Sequence, residues 1–193
     1  KTVEYTITID SNIAFTYPAA ITVSNIYATN QDSTPYLQAS NSNYRSFIDF
    51  KSPQEGLEFS YPSIFKIGEQ TFPGGEILYH LDFQNKRDKT YNGFVQVWNL
   101  PSPYTLEQFL KSSYEDTMNE LQGFKQTAIN VNNLNGYFWD YVVDTAAEKY
   151  RSLEVFLTKG TKLYRISYYI PEKKFTQADY DMFWKLVNSF KVK

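Results

Sequence analysis

His80 is the only histidine in the chain, and there is no cysteine. These two counts decide most of the chemistry on offer. Without thiols there are no disulfides, no thiolate metal sites and no cysteine nucleophiles. On an alternating strand, Glu76, His80 and Asp82 share one face. Neighbours on such a face lie about 7 Å apart, so the imidazole and Asp82 could offer two ligands to one metal ion. The competing reading is a solvated polar face, and histidine-poor sites seldom hold transition metals. The expectation is therefore no metal and no cofactor. No Asp-x-Asp-x-Asp-Gly loop is present for calcium and no Gly-x-Ser-x-Gly elbow for a serine nucleophile. Gly74-Gly75 lacks a following Lys-Ser/Thr and reads as a turn, not a phosphate loop.

Two carboxylates about 5–10 Å apart would suit glycoside hydrolysis. Asp140 and Asp144, on one strand face with Phe138 and Val142, could supply them, against the plainer reading of a strand solvated toward its end. Trp98 and Trp139 could stack on a sugar ring if exposed. They belong to an aromatic set that includes Tyr137, Tyr141, Tyr164, Tyr168 and Tyr169. One part of that set must face helices, and large strand aromatics usually bury. Trp184, beside Phe183 on a helix face, reads as core. No residue is assigned a catalytic role, and the chain is expected not to be an enzyme.

The bulk numbers narrow the classes of partner. A net charge of −2 with no basic stripe argues against nucleic acid and against an acidic membrane surface. The 17 Tyr, 15 Phe and 3 Trp could line a half-exposed sheet or an interface. No apolar run approaches the ~18–20 residues that span a bilayer. The chain opens Lys1-Thr2-Val3 without Met, which reads as a mature form trimmed past a leader, with a lipid anchor upstream an open option.

The elements that must position these groups follow from periodicity. Val3, Tyr5, Ile7 and Ile9 alternate with polar residues, and strands are expected again at 13–17 and 19–23, with a loop near Asn30–Ser33. From Gly56, strands are predicted at Leu57–Tyr61, stopped by Pro62, then at Glu76–Phe83 and Tyr91–Leu100, an antiparallel pair. Thr105-Leu106-Glu107-Gln108 has the form of a capping box and opens an amphipathic helix through Leu121, with Gly123 as its stop. Four strands follow at 125–131, 137–144, 149–158 and 162–170, with turns placed at Asn135-Gly136 and Lys159-Gly160. A last helix starts at Thr176, with Tyr180, Phe183, Trp184 and Val187 on its buried side. Short hairpin links make the sheet mainly antiparallel, an α+β domain flanked by two principal helices.

The segment Gly56-Leu57-Glu58-Phe59-Ser60-Tyr61-Pro62 with Phe65 three beyond the proline, the helix after a Pro-rich turn, the expected Leu134-Asn135-Gly136 turn, and the ending Val187-Asn188-Ser189-Phe190-Lys191 together resemble PsbP-like domains over about residues 55–193. The resemblance implies an α/β/α sandwich and a non-catalytic habit. The family includes an extrinsic subunit of photosystem II, a binder of the nuclear-transport GTPase Ran, and exported bacterial proteins or lipoproteins. None of its binding residues maps onto this chain. The expected organisation is an N-terminal β extension at 1–54 packed on a main domain at 55–193. The expected role is a secreted or cell-surface protein that binds a protein or envelope component. The alternative is a carbohydrate- or small-ligand-binding module that uses exposed Tyr and Trp.

Overall fold

Strict alternation in the second half of the chain builds the centre of the molecule. In β8 (Lys149–Lys159), Leu153, Val155 and Leu157 point one way and Ser152, Glu154 and Phe156 the other, and all six are buried. A strand buried on both faces belongs in the middle of a sheet covered on both sides. The computed structural model, which describes Tyr44 and residues 46–100, 104–117 and 121–193, places it there. The strands expected between residues 3 and 23 lie outside the described residues, as does the loop near Asn30.

Seven strands form one antiparallel sheet in the order β3-β4-β5-β9-β8-β7-β6. They are β3 (Phe65–Gln70), β4 (Ile77–Asn85), β5 (Asn92–Asn99), β6 (Leu121–Val131), β7 (Leu134–Asp144), β8 and β9 (Lys162–Pro171). Among the described residues, two helices, α1 (Leu106–Thr117) and α2 (Gln177–Ser189), accompany the large sheet together with a small sheet. That sheet holds β1 (Phe47–Ser52), β2 (Leu57–Pro62) and β10 (Lys191–Val192) in the order β1-β2-β10. Residues Tyr44–Lys193 make one compact unit, and the β1–β2 hairpin straddles position 54.

One face of the large sheet, here the inner face, carries Leu81, Phe83, Val95, Val97, Ile166, Tyr168 and Ile170. It packs against Met182, Phe183, Leu186 and Val187 of α2 and against Leu57, Phe59 and Tyr61 of β2. The other, outer face meets α1 through Leu106 and Leu110, which pack with Trp139, Tyr141, Phe156 and Leu163. The result is an antiparallel sheet between two helical covers.

One predicted turn moves. The β6–β7 link is the two-residue turn Asn132-Asn133, with φ of 50° and 66°, closed by the pair Val131–Leu134. Positive φ at both central residues is what a type I′ hairpin requires, and Asn tolerates it. Asn135-Gly136 lies within β7 instead. Gly136 is needed for a different reason: a Cβ there would stand 1.8 Å from the Phe156 carbonyl oxygen. The predicted helix end also shifts. α1 stops at Thr117, Leu121 already belongs to β6, and Gly123, at φ +63°, sits where the β6–β7 register slips between Gln122 and Lys125. It serves a bulge, not a helix stop. Strands β1, β3 and β10 escaped the sequence reading, and β3 (FKIGEQ) shows why: it ends in a run of exposed residues with no alternation.

Candidate functional site

Of the polar residues singled out from sequence, His80, Asp82 and Asp140 are held by partners within the fold, while Glu76 and Asp144 are exposed. His80 is only 5% exposed. It lies on the outer face between the rings of Phe72 and Phe94, whose centroids are 4.9 and 5.2 Å from its own. The expected exposed face is therefore incorrect, because Phe72, from the β3–β4 loop, stands edge-on against the imidazole. Glu76 stays exposed and takes no part, since the register of β4 slips between Ile77 and Tyr79.

The hydrogen bonds around His80 fix its proton. The Trp98 indole can only donate, and it donates to Gln96 Oε1 at 2.9 Å. The Gln96 amide nitrogen, 2.8 Å from His80 Nδ1, then donates to that nitrogen. The remaining proton is on Nε2, 2.6 Å from Asp82 Oδ1, and Asp82 Oδ2 also accepts from the Gln70 amide. Both ring nitrogens are committed. An imidazole in this relay has no lone pair to give a metal or a nucleophile.

A second network lies beside it. Glu154 is completely buried; it accepts from Tyr141, from Arg165 Nε at 2.6 Å and from Ser167 Oγ at 2.7 Å. Burial alone would raise its pKa, but the Arg165 charge and these hydrogen bonds hold it below the ordinary carboxylate value. Arg165 is sandwiched between the rings of Phe94 and Phe156, at 5.2 and 5.5 Å. The sequence reading missed this knot. A lone Glu among apolar neighbours in SLEVFL, with Arg165 in the following strand, was the available signal.

The candidate carboxylate pair does not form a site. Asp140 is buried and bonded to Arg151 Nη2 at 2.7 Å, while Asp144 is exposed and meets Lys149 at 3.5 Å. Of the tryptophans, Trp139 is 3% exposed and donates to Gln126, and Trp98 packs edge-on to Phe109. Tyr164 and Tyr168 are core, Tyr169 and Tyr137 are half-buried, and Trp184 rests on Phe138.

Among the described residues, the flank of α1 is open. A cleft of about 550 Å³ runs between the first turn of α1 and the ends of β6–β9, bordered by Tyr104, Leu106, Glu107, Ile129, Asn135 and Tyr137. A second hollow of about 250 Å³ continues it past Leu110, Lys111, Tyr114, Phe124 and Gln126. Glu107 and Tyr137 line both. The local cause lies in the cap: Thr105 N–H donates to Gln108 Oε1 at 2.8 Å and Gln108 N–H to Thr105 Oγ1 at 3.3 Å, so the helix starts with its own side chains. Tyr104 follows the first turn with its hydroxyl 3.3 Å from the Gln108 carbonyl and stays 39% exposed.

Comparison by sequence finds no matching family model and no matching curated protein. Comparison by structure does find likenesses. The solution structure of cyanobacterial PsbP (CyanoP) from Synechocystis sp. PCC 6803 superposes with a TM-score of 0.58 at 17% identity, covering 79% of this chain and 95% of that one. A crystal structure from Bacteroides thetaiotaomicron VPI-5482 gives a TM-score of 0.50 at 14% identity over 75% of this chain; the match spans 48% of that protein's length. The fold of this chain, an antiparallel sheet between two helical covers, is PsbP-like.

Proposed function

We propose that this chain is a non-catalytic, extracytoplasmic protein that works by binding a protein of the cell envelope. The observation that carries the reading is the division of labour on the outer face. Side chains able to move protons are held in two closed networks, His80 with Asp82 and Gln96, and Glu154 with Arg165 and Tyr141. The open cleft beside α1 is bordered by aromatic rings, hydroxyls and amides, with the single carboxylate of Glu107. The lack of cysteine is compatible with placement outside the cytoplasm, and the low-charge Asn, Ser, Thr and Gln tract from Ser24 to Ser46 supports it. The likeness in fold to cyanobacterial PsbP is consistent with both. Saccharide recognition through Trp98 and Trp139 loses ground, because one indole is buried and both donate within the protein.

Photo-crosslinking in cells that make the protein tests this. Reactive residues placed at exposed positions such as Glu107, Lys111, Lys51 and Lys185 are expected to trap one extracytoplasmic protein. Crosslinks to cytosolic proteins alone, or none above background, would overturn the reading.

A further inference from the structure

We infer that the groove beside α1 holds an extended, proline-containing peptide that carries a basic side chain. This rests on the protein-binding reading above and names the part of the partner that is recognised.

The shape comes first. The two hollows share Tyr137 and Glu107, so they form one elongated trough along a helix of 12 residues. At 1.5 Å per residue such a helix is about 18 Å long. Five or six extended residues cover about the same distance. A compact small molecule would leave most of it empty.

The lining comes next. Tyr104 and Tyr137 lie along the larger hollow, and Phe124 and Tyr114, 4.7 Å apart, along the smaller. Grooves walled by aromatic rings suit the polyproline II helix, which pays little entropy on binding. Such a helix leaves its carbonyls unpaired, and the trough offers donors for them. Gln126 Oε1 is taken by the Trp139 indole and Asn135 Oδ1 by the Asn130 amide. Each amide therefore has its oxygen engaged, and among the described residues its NH₂ group is left to give.

Charge selects among the remaining occupants. Lys111 is paired with Glu115 at 3.8 Å. Glu107, exposed and common to both hollows, is the one charged lining residue with no ion pair among the described residues. A phosphate or nucleic acid would meet repulsion there, and a neutral oligosaccharide would leave the carboxylate unmatched. A lysine or arginine on the peptide would answer it.

A phage-displayed library of random dodecapeptides, selected on the folded chain, is the probe. Enriched sequences should converge on proline with Lys or Arg. Their synthetic versions should bind about tenfold more weakly to Glu107→Lys and to Ala128→Trp, which fills the trough from an exposed lining position. Binding should be unchanged by Lys185→Ala, on α2. Glu107→Lys, an exposed surface change, keeps the test valid if the tryptophan variant folds poorly. No convergence, convergent peptides indifferent to both variants, or chitohexaose or maltohexaose binding where no peptide does would each overturn the inference. If crosslinking finds an envelope partner whose binding ignores both variants, the peptide groove falls and the broader reading stands.

Discussion

The two faces of the seven-stranded sheet are built from the same strands and finished in opposite ways. On the inner face, β4, β5, β8 and β9 present Leu, Val, Ile, Phe and Tyr side chains to α2, which answers with Met182, Phe183, Leu186 and Val187. Its cap is also buried there. Asp179 accepts from Thr176 N–H at 2.9 Å and from the Tyr44 hydroxyl, which in turn takes a hydrogen bond from Tyr168 at 2.9 Å. On the outer face, α1 contributes two buried leucines, each bordering a hollow, and a cap exposed to water. Beyond its reach the sheet is closed by polar networks, because an unpaired buried donor or acceptor costs more than a shared one. One helix seals; the other covers in part and leaves a trough.

The largest expected effect comes from cutting the outer-face knot. Glu154→Ala strands the Arg165 guanidinium between two rings without its counter-charge, and should cost about 3–5 kcal/mol in urea unfolding. If the loss is under about 1 kcal/mol, the network is not what closes that face. The same knot sets the pH response. Because Glu154 is held below its ordinary pKa, and Asp88 is drawn down to about 2 by its hydrogen bond with Lys174, the unfolded chain binds more protons in acid. Stability should therefore hold above pH 5 and fall as the pH drops toward 2. Tyr141, Tyr168 and Tyr169 are raised above 10, mainly by burial. Their contribution is present below pH 10 and lost as the pH rises past it. Melting temperatures across the pH range check both limbs.

Next in size is the contrast between the covers. Phe183→Ala on α2, fully buried, should cost about 3–5 kcal/mol. Leu110→Ala on α1 should cost about 2 kcal/mol, because a side chain bordering an open hollow leaves less of a sealed cavity. Equal losses would erase the distinction. The caps should differ least. Asp179→Ala removes a buried carboxylate that Tyr44 and Thr176 both use and should cost about 2 kcal/mol. Gln108→Ala, in a cap exposed to water, should cost about 0.5 kcal/mol.

How much of this was legible in the sequence follows the strength of local signals. The alternation in 149–158 and 162–170, and both capping segments at Thr105 and Thr176, located the central strands and the helix starts. The β6–β7 turn misled because Asn135-Gly136 is the stronger dipeptide signal, while the pairing Val131–Leu134 obeys the burial pattern of both strands. His80 was read on the correct strand and face but with the wrong surroundings. Its burial depends on Phe72, Phe94 and Gln96, which come from two other segments. The trough was not legible either: Tyr104, Tyr137 and Gln126 meet only through the packing of α1 on β6 and β7.

Native-state hydrogen exchange under mild denaturant tests the sealed and the open cover most directly. Amides of α2 around Phe183–Leu186 should exchange only through global unfolding, while those of α1 around Phe109–Ser113 exchange through a local opening at lower free energy. Protection in α1 equal to that in α2 would contradict the account.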